Sequence, residues 1–470
     1  MIPLTIDQIA RAVGGEVRPA GVGGSLIDGA VETDSREIAP GGVFVARVGE
    51  AMDGHDFAGR ALERGAALLL VERPLDLDVP QIVVPDATAA LAALAKEVVA
   101  RVRDGGRLRV IGITGSNGKT TTKNLLREIL GRVGETVAAH ASFNNEVGAP
   151  MTMLRVTRST EFLVAEMGAS APGAIARLVA LARPDIGVVL KVGLAHAGGF
   201  GGIEGTTKAK SEMVTDLRES DLAVLNRDDP RVAGMAELTR ARVAWFGLAA
   251  DPATGGTSAD DIDATASGTT FELLLPGGER RRVAFRVLGE HHVSNAMAAA
   301  AVASALGVDA DTIVAGLEAV ERAERWRMEI LVREPVTVVN DAYNASPDSM
   351  AAALKTLVQI SPGRSVAVLG AMSELGDSAG EEHDRVGLLV VRLNIGQLVV
   401  VGQDAKRIHL AATAQGSWDG ESLFAATQEE AEALLEQVLR PGDTVLVKSS
   451  NSAGLRHLGD RLGARWAGTA

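Results

Sequence analysis

Short apolar runs rich in Val, Ile and Leu recur along the chain at 67–71, 110–113, 186–190, 222–225, 365–369, 398–401 and 444–447. Their continuity, with little polar alternation, predicts strands buried on both faces of parallel sheets. Ala-rich stretches of helical period lie between them, such as 89–102 and 426–439. The alternation reads as β-α-β, so the fold class is α/β. Two charged stretches interrupt the series, around 101–109 and 321–327. With about 150 residues per domain as a guide, they divide the chain into three domains at 1–104, 105–325 and 326–470. A low-complexity piece at 251–270 predicts a loop and hairpin decorating the middle one.

Composition narrows the chemistry. The 470 residues carry a formal net charge of −13 and no cysteine. A disulfide scaffold, a thiolate-bound metal and a cysteine nucleophile are excluded. The acidic balance argues against broad nucleic-acid binding, which needs a basic footprint. Residues 1–7 lack the pattern of a secretory signal, and no uncharged apolar run reaches bilayer length. The expectation is a cytoplasmic protein with no nucleic-acid partner and no membrane insertion.

The strongest local motif is Thr114-Gly115-Ser116-Asn117-Gly118-Lys119-Thr120-Thr121, following the apolar run at 110–113. After it, Leu125, Leu126, Ile129 and Leu130 share one helical face. Backbone N–H groups of such a turn, with the helix N-terminus, cradle phosphate oxygens. Lys119 would reach the β- and γ-phosphates and the Thr120 hydroxyl would hold Mg²⁺. Ile113 stands where the common phosphate loop has glycine, so this is a shorter form. The motif points to a nucleoside triphosphate and magnesium; kinase, GTPase, motor and ligase all remain open.

Further motifs follow in order: Asn144-Asn145-Glu146, Glu166-Met167-Gly168, His196 in a glycine-rich loop, Ala209-Lys210-Ser211-Glu212, Asn226-Arg227-Asp228-Asp229, Gly289-Glu290-His291-His292-Val293-Ser294-Asn295 and Asn340-Asp341-Ala342-Tyr343-Asn344. This ordered set resembles the Mur ligases of peptidoglycan synthesis over nearly the whole chain. Asp34-Ser35-Arg36, Asp53-Gly54-His55 and the run at 370–376 resemble the member that adds D-alanyl-D-alanine. The resemblance implies an N-terminal UDP-binding α/β domain, a central phosphate-loop ATPase-type parallel sheet flanked by helices, and a C-terminal Rossmann-like domain. It implies ATP-driven amide formation on UDP-N-acetylmuramoyl-tripeptide through an acyl phosphate, by a monomer whose third domain closes on the second.

It also implies site residues. Lys119, Lys210 and His196 would be catalytic. Glu166, His196 and a Lys210 carbamylated by CO₂ would bind a second Mg²⁺ beside that of Thr120, with Lys208 as the competing lysine. Asn295 would hold adenine, although as the residue opening its helix it also reads as an N-cap. Arg327, Asp341, Tyr343 and Asn344 would approach ATP from the third domain, although Asn and Asp also favour turns. Ser35, Arg36, Asp53 and His55 would hold the UDP end, and Asn144 and Asn145 would also bind substrate. Glu374, His383 and the strand at 448–451 would face the dipeptide. There Ser449 and Asn451 replace the family's glycine and arginine, and Arg456 is the substitute cation.

Three alternatives compete. The ligase adding the third amino acid to the dipeptide precursor carries Asp-Asn-Pro-Arg in its last domain, which is absent here. Folylpolyglutamate synthetase lacks this N-terminal domain. A nucleotide-binding regulator would not need Lys119, Glu166, His196 and Lys210 together.

Overall fold

A computed structural model of the protein describes residues 1–49, 52–139, 143–169, 171–195, 197–321, 324–416 and 418–468. Each predicted apolar run lies in a strand: Leu68–Val71, Arg109–Thr114, Ile186–Val189, Leu222–Asn226, Ser365–Leu369, Gln397–Val401 and Thr444–Lys448. They belong to three separate sheets, and the chain folds as three α/β units.

In the first unit the sheet runs Glu16–Arg18, Gln81–Val83, Leu68–Val71, Val43–Val45, Val31–Glu32, with the first pair antiparallel and the rest parallel. Helix Ala87–Arg103 starts where Asp86 accepts from the N–H groups of Thr88 and Ala89. That cap satisfies two of the donors a helix start leaves open. Its stripe of Leu91, Leu94, Val98 and Val102 is buried in one apolar cluster with Met153 and Leu178 of the second unit. The first two units therefore share a core.

The central sheet is fully parallel, in the order Arg242–Phe246, Leu222–Asn226, Ile186–Val189, Arg109–Thr114, Phe162–Glu166, Thr136–Ala138. The phosphate-loop strand is internal, and its neighbours extend to either side. Such a point opens a crevice at the carboxyl ends of the strands. The hairpin expected within residues 251–270 is present, and a third strand beyond it extends it into a sheet. Ser258–Thr265, Gly268–Leu274 and Arg280–Phe285 form a three-stranded antiparallel sheet. Small polar residues masked its period, but Thr269, Phe271 and Leu273 point inward while Thr270, Glu272 and Leu274 are less covered. The Phe271 and Phe285 rings meet edge-on at 6.2 Å.

The third unit has the order Glu329–Val332, Thr337–Asn340, Thr444–Lys448, Ser365–Leu369, Gln397–Val401, Glu421–Ala425, parallel except for the first strand. Apolar clusters cover both faces of this sheet and include almost nothing from the other units. Burial of about 1.5–3 kcal/mol per large side chain thus stabilises this unit largely within itself. Among the described residues no helix is long and apolar enough to cross a membrane.

Candidate active site

Between strand Arg109–Thr114 and helix Lys119–Leu130 the chain turns through Gly115 at φ +152° and Gly118 at φ +88°. Both values favour glycine. A Cβ on Gly118 would also lie 2.2 Å from Asn295 Oδ1. Gly118→Ala should therefore weaken nucleotide binding about tenfold or more, the equivalent of ~1.4 kcal/mol. Calorimetric titration with ADP measures it, and an unchanged affinity would remove the loop from the binding site.

The loop opens onto a cavity of about 640 Å³. Its walls include Ser116, Asn117, Gly118, Lys119, Thr120, Thr121, Asn144, Glu166 and Asn295 from the central unit. Arg327, Asp341, Tyr343, Asn344 and Lys448 line it from the segment beyond. Gly115 lies behind the wall, where its carbonyl accepts from Lys119 Nζ at 2.7 Å. Burial pushes the Lys119 ammonium below its ordinary range; Glu166 opposes this and Arg327 adds to it. An incoming phosphate would reverse the penalty.

Glu166 ends its strand, opposite Ile113 in register, and is 1% exposed. Thr120 Oγ1 donates to its Oε2 at 3.0 Å, and Asn144 Nδ2 donates to its Oε1 at 2.8 Å. One hydroxyl and one carboxylate suit a hard cation whose other ligands are phosphate and water. Among the described residues no three His, Asp or Glu cluster as a metal cage. His196 lies outside the described residues.

Lys210 and Lys208 separate cleanly. On helix Ile203–Thr215, Lys208 is exposed and Lys210 is 2% exposed. The Lys210 Nζ lies 5.7 Å from the Phe200 ring centre. Burial, and then the Lys119 charge, lower its pKa to about 7, with Glu212 opposing. Glu212 itself accepts from the N–H groups of Gly173 and Ala176.

Asn295 does not open its helix. The helix is His291–Ala305 with Glu290 before it, so the amide lies in the second turn and caps nothing. Its Nδ2 donates to His292 Nδ1 at 3.1 Å, which leaves the His292 proton on Nε2. His292 is 5% exposed, and burial holds it neutral.

Arg327 is presented by two residues of left-handed backbone, Trp326 at φ +59° and Met328 at φ +49°. Each costs on the order of 1–2 kcal/mol. The conformation is held by the third unit: the Trp326 indole donates to Asp460 at 2.9 Å, and Met328 N–H donates to Asp341 Oδ1 at 3.0 Å. The guanidinium stacks 4.3 Å from the Tyr343 ring centre and approaches Thr120 Oγ1 at 3.5 Å. Asp341 Oδ2 accepts from Lys448 Nζ at 2.6 Å, and Asn344 O accepts from the same ammonium at 3.0 Å. Lys448, read from sequence with the dipeptide side, therefore faces the nucleotide cavity. Arg456 does stand beside the departing tail, donating to Asn451 O at 3.3 Å.

The remaining expected residues do not join this cavity. The Arg36 guanidinium is paired with Asp34, and Ser35 beside it is buried. His55 Nδ1 donates to Asp53 at 2.5 Å and its Nε2 accepts from Glu72 N–H at 2.9 Å. With both ring nitrogens engaged, His55 holds its turn. Asp53, also bound by Arg73, is held well below the usual carboxylate range, first by the His55 backbone N–H. His383 is likewise committed: its Nε2 accepts from Met372 N–H and its Nδ1 donates to Ala379 O. These two bonds tie the loop at 370–375 to the helix. Glu374 is exposed, and its carbonyl accepts from Gly198 N–H across the unit boundary at 3.1 Å. Asn145 caps helix Gly148–Met153 through Val147 and Gly148 N–H.

Residues not singled out from sequence also contribute. Lys191, Asp228, Asp229, His292 and Asp348 line the cavity. Lys123 is buried one turn beyond Lys119, where Glu166 and Glu324 oppose the effect of burial on its ammonium. Asp228, Asp229 and His292 belong to motifs visible in the sequence; Lys191 and Asp348 carry no local signal.

Residues 29–109 match the Mur ligase family, catalytic domain; 113–303 match the Mur ligase middle domain; and 326–451 match the Mur ligase, glutamate ligase domain. The chain is 43% identical to UDP-N-acetylmuramoyl-tripeptide–D-alanyl-D-alanine ligase of Mycobacterium tuberculosis (strain ATCC 25618 / H37Rv), over 98% of each chain. It is similar to the crystal structure of MurF from Acinetobacter baumannii, with TM-score 0.88 and 32% identity over 98% of this chain and 99% of that one. The MurF ligase of Thermotoga maritima in complex with ADP aligns with TM-score 0.80 and 28% identity, covering 94% and 99%.

Proposed function

The chain belongs to the Mur ligase family, and we propose that it joins D-alanyl-D-alanine to the terminal carboxylate of UDP-N-acetylmuramoyl-tripeptide. It is an ATP-dependent ligase of peptidoglycan precursor synthesis. The observation that carries the reaction class is the meeting of two units on one cavity, the phosphate loop from one side and Arg327, Asp341 and Lys448 from the other. The choice of substrates rests on the full-length likeness to ligases of that name. The division at 104/105 and 325/326 then separates a UDP-substrate domain, an ATP domain and a closing domain. The enzyme works in the cytoplasm as a monomer.

The tripeptide carboxylate attacks the γ-phosphorus, the bond to ADP breaks, and an acyl phosphate forms. The dipeptide amine then attacks the acyl carbon, loses a proton, and expels phosphate from a tetrahedral intermediate. One anion must strike another, so positioning and charge neutralisation supply most of the catalysis. The backbone at 115–118 holds the phosphates, and Lys119 and Arg327 supply cations from opposite walls. Asn295, held by His292, orients the base. Asp341 joins Lys448 to the Arg327 segment, so these groups arrive together when the third domain closes and excludes water. Mg²⁺ would be held by Thr120 and Glu166, with a second ion at Glu166, His196 and a Lys210 carbamate, and would neutralise phosphate charge. Ser35, Arg36 and Asp53 lie on the first domain, away from this chemistry, where the UDP end would bind.

Phosphate release with candidate acceptors tests the reading. Release should require ATP, the tripeptide precursor and D-alanyl-D-alanine together. Release with a diamino acid on the dipeptide precursor would assign the enzyme one step earlier.

A further inference from the structure

The stretch following strand Ile186–Val189 is fastened to the central domain at successive residues. Asn226 Nδ2 donates to Leu190 O at 2.7 Å, Ser116 N–H to Lys191 O at 2.8 Å, and Val192 N–H to Asp229 at 2.8 Å. Ser116 then makes a reciprocal pair with Gly193, its hydroxyl donating to Gly193 O at 3.1 Å and accepting from Gly193 N–H at 2.9 Å. The phosphate loop and this stretch therefore form one rigid piece.

The third domain reaches the same spot from the far side. Asp348 lies in the first turn of helix Pro347–Ile360, where a negative charge is favoured by the helix dipole. Its Oδ2 accepts from Leu194 N–H at 3.3 Å, and its Oδ1 lies 3.4 Å from Lys191 Nζ. A Cβ at Gly193 would fall 2.2 Å from Asp348 Oδ2 and 3.1 Å from its Cγ. The Gly193 backbone does not demand glycine, since its φ lies outside the left-handed range. What demands it is the incoming carboxylate.

We propose that Asp348 is a positioning residue for closure: it seats on Gly193, and through Gly193 and Ser116 it registers the third domain against the phosphate loop. It touches no reacting atom. Its part is to bring Arg327, Asp341 and Lys448 to the same depth over the triphosphate each time the domain closes. The exposed ion pair with Lys191 adds little in water; shape and the Leu194 hydrogen bond carry the fit. The inference rests on the ligase reading for its effect on turnover, but not for its effect on geometry.

The test is a double-mutant cycle. Gly193→Ala should lower kcat about tenfold or more while leaving ADP affinity, set by the open form, within about threefold. In an Asp348→Gly background the same alanine should cost nothing, because the space is free. In an Asp348→Asn background, which keeps the side-chain size, it should cost as much as in the parent. Equal cost in all three backgrounds, or no cost in any, overturns the proposal. The chain has no cysteine, so Leu238→Cys and Leu410→Cys, both exposed and one on each side, accept distance labels cleanly. The labelled protein with an ATP analogue should show the short distance in the parent and lose it in Gly193→Ala. Asp348→Gly alone should also broaden the distance, because the seat is gone, and adding Gly193→Ala to it should change nothing further; a sharp, parent-like distance in Asp348→Gly counts against the seat. If the parent joins no D-alanyl-D-alanine, the ligase reading fails while the distance cycle still decides this one.

Discussion

Lys119→Ala is expected to lower the rate of amide formation about a thousandfold, some 4 kcal/mol of transition-state stabilisation, in a protein that still folds. The ammonium reaches back to Gly115 O at 2.7 Å and holds the loop in shape while its charge awaits phosphate. Its burial is unfavourable until a phosphate arrives, so the loss falls on the bound, reacting state and not on the empty fold. Arginine at this position should not rescue, because the planar fork cannot occupy the point-charge position over Gly115. A melting temperature near that of the parent, together with loss of phosphate release, is the expected pair of results. Amide formation within about threefold of the parent would show that phosphoryl transfer does not pass through this loop.

That prediction was legible from sequence because its cause is local: strand, glycine turn, lysine and helix follow one another without a break. The buried strands were legible for the same reason. What could not be read is anything decided by which atoms of a side chain are already used. His55 and His383 look available in the sequence, yet in the fold both nitrogens of each ring serve the backbone or a carboxylate nearby. Lys448 ends a strand whose sequence suggests a dipeptide contact, and only the parallel pairing of that strand beside Thr337–Asn340 brings it to Asp341. The convergence of Arg327 and Asp341 on the phosphate loop came from resemblance to a family, since no periodicity relates them to Lys119. Asp348 and Leu194 are 154 positions apart. A contact of that kind has no signature in either stretch.

Lys210→Met is expected to lower turnover by two orders of magnitude or about that, yet to make the metal-free protein more stable at neutral pH. The two effects share one cause. A buried amine beside the positive Lys119 is costly as a cation, and methionine fills the same space without charge. The sign follows from proton counting. The folded-state pKa is about 7 against 10.5 as the ordinary value, so between those limits the unfolded chain binds more protons than the folded one. Parent stability therefore rises with pH across that window, and the gap to Lys210→Met closes as pH approaches the upper limit. Below about 7 both states are protonated and the gap is widest. The same depressed pKa leaves a neutral amine at mildly alkaline pH, the form that can attack CO₂. In a carbamylation the nitrogen would bond to carbon, a proton would leave to solvent, and a repelled cation would become an anion attracted to Lys119. Activity should accordingly fall when CO₂ is removed and recover when it is restored, more readily at pH 8 than at pH 6.5. A carbamate carbon signal from labelled bicarbonate should be present in the parent and absent in Lys210→Met. A free amine in active, metal-loaded enzyme would eliminate the modification, and a methionine variant of unchanged stability slope would eliminate its electrostatic cause.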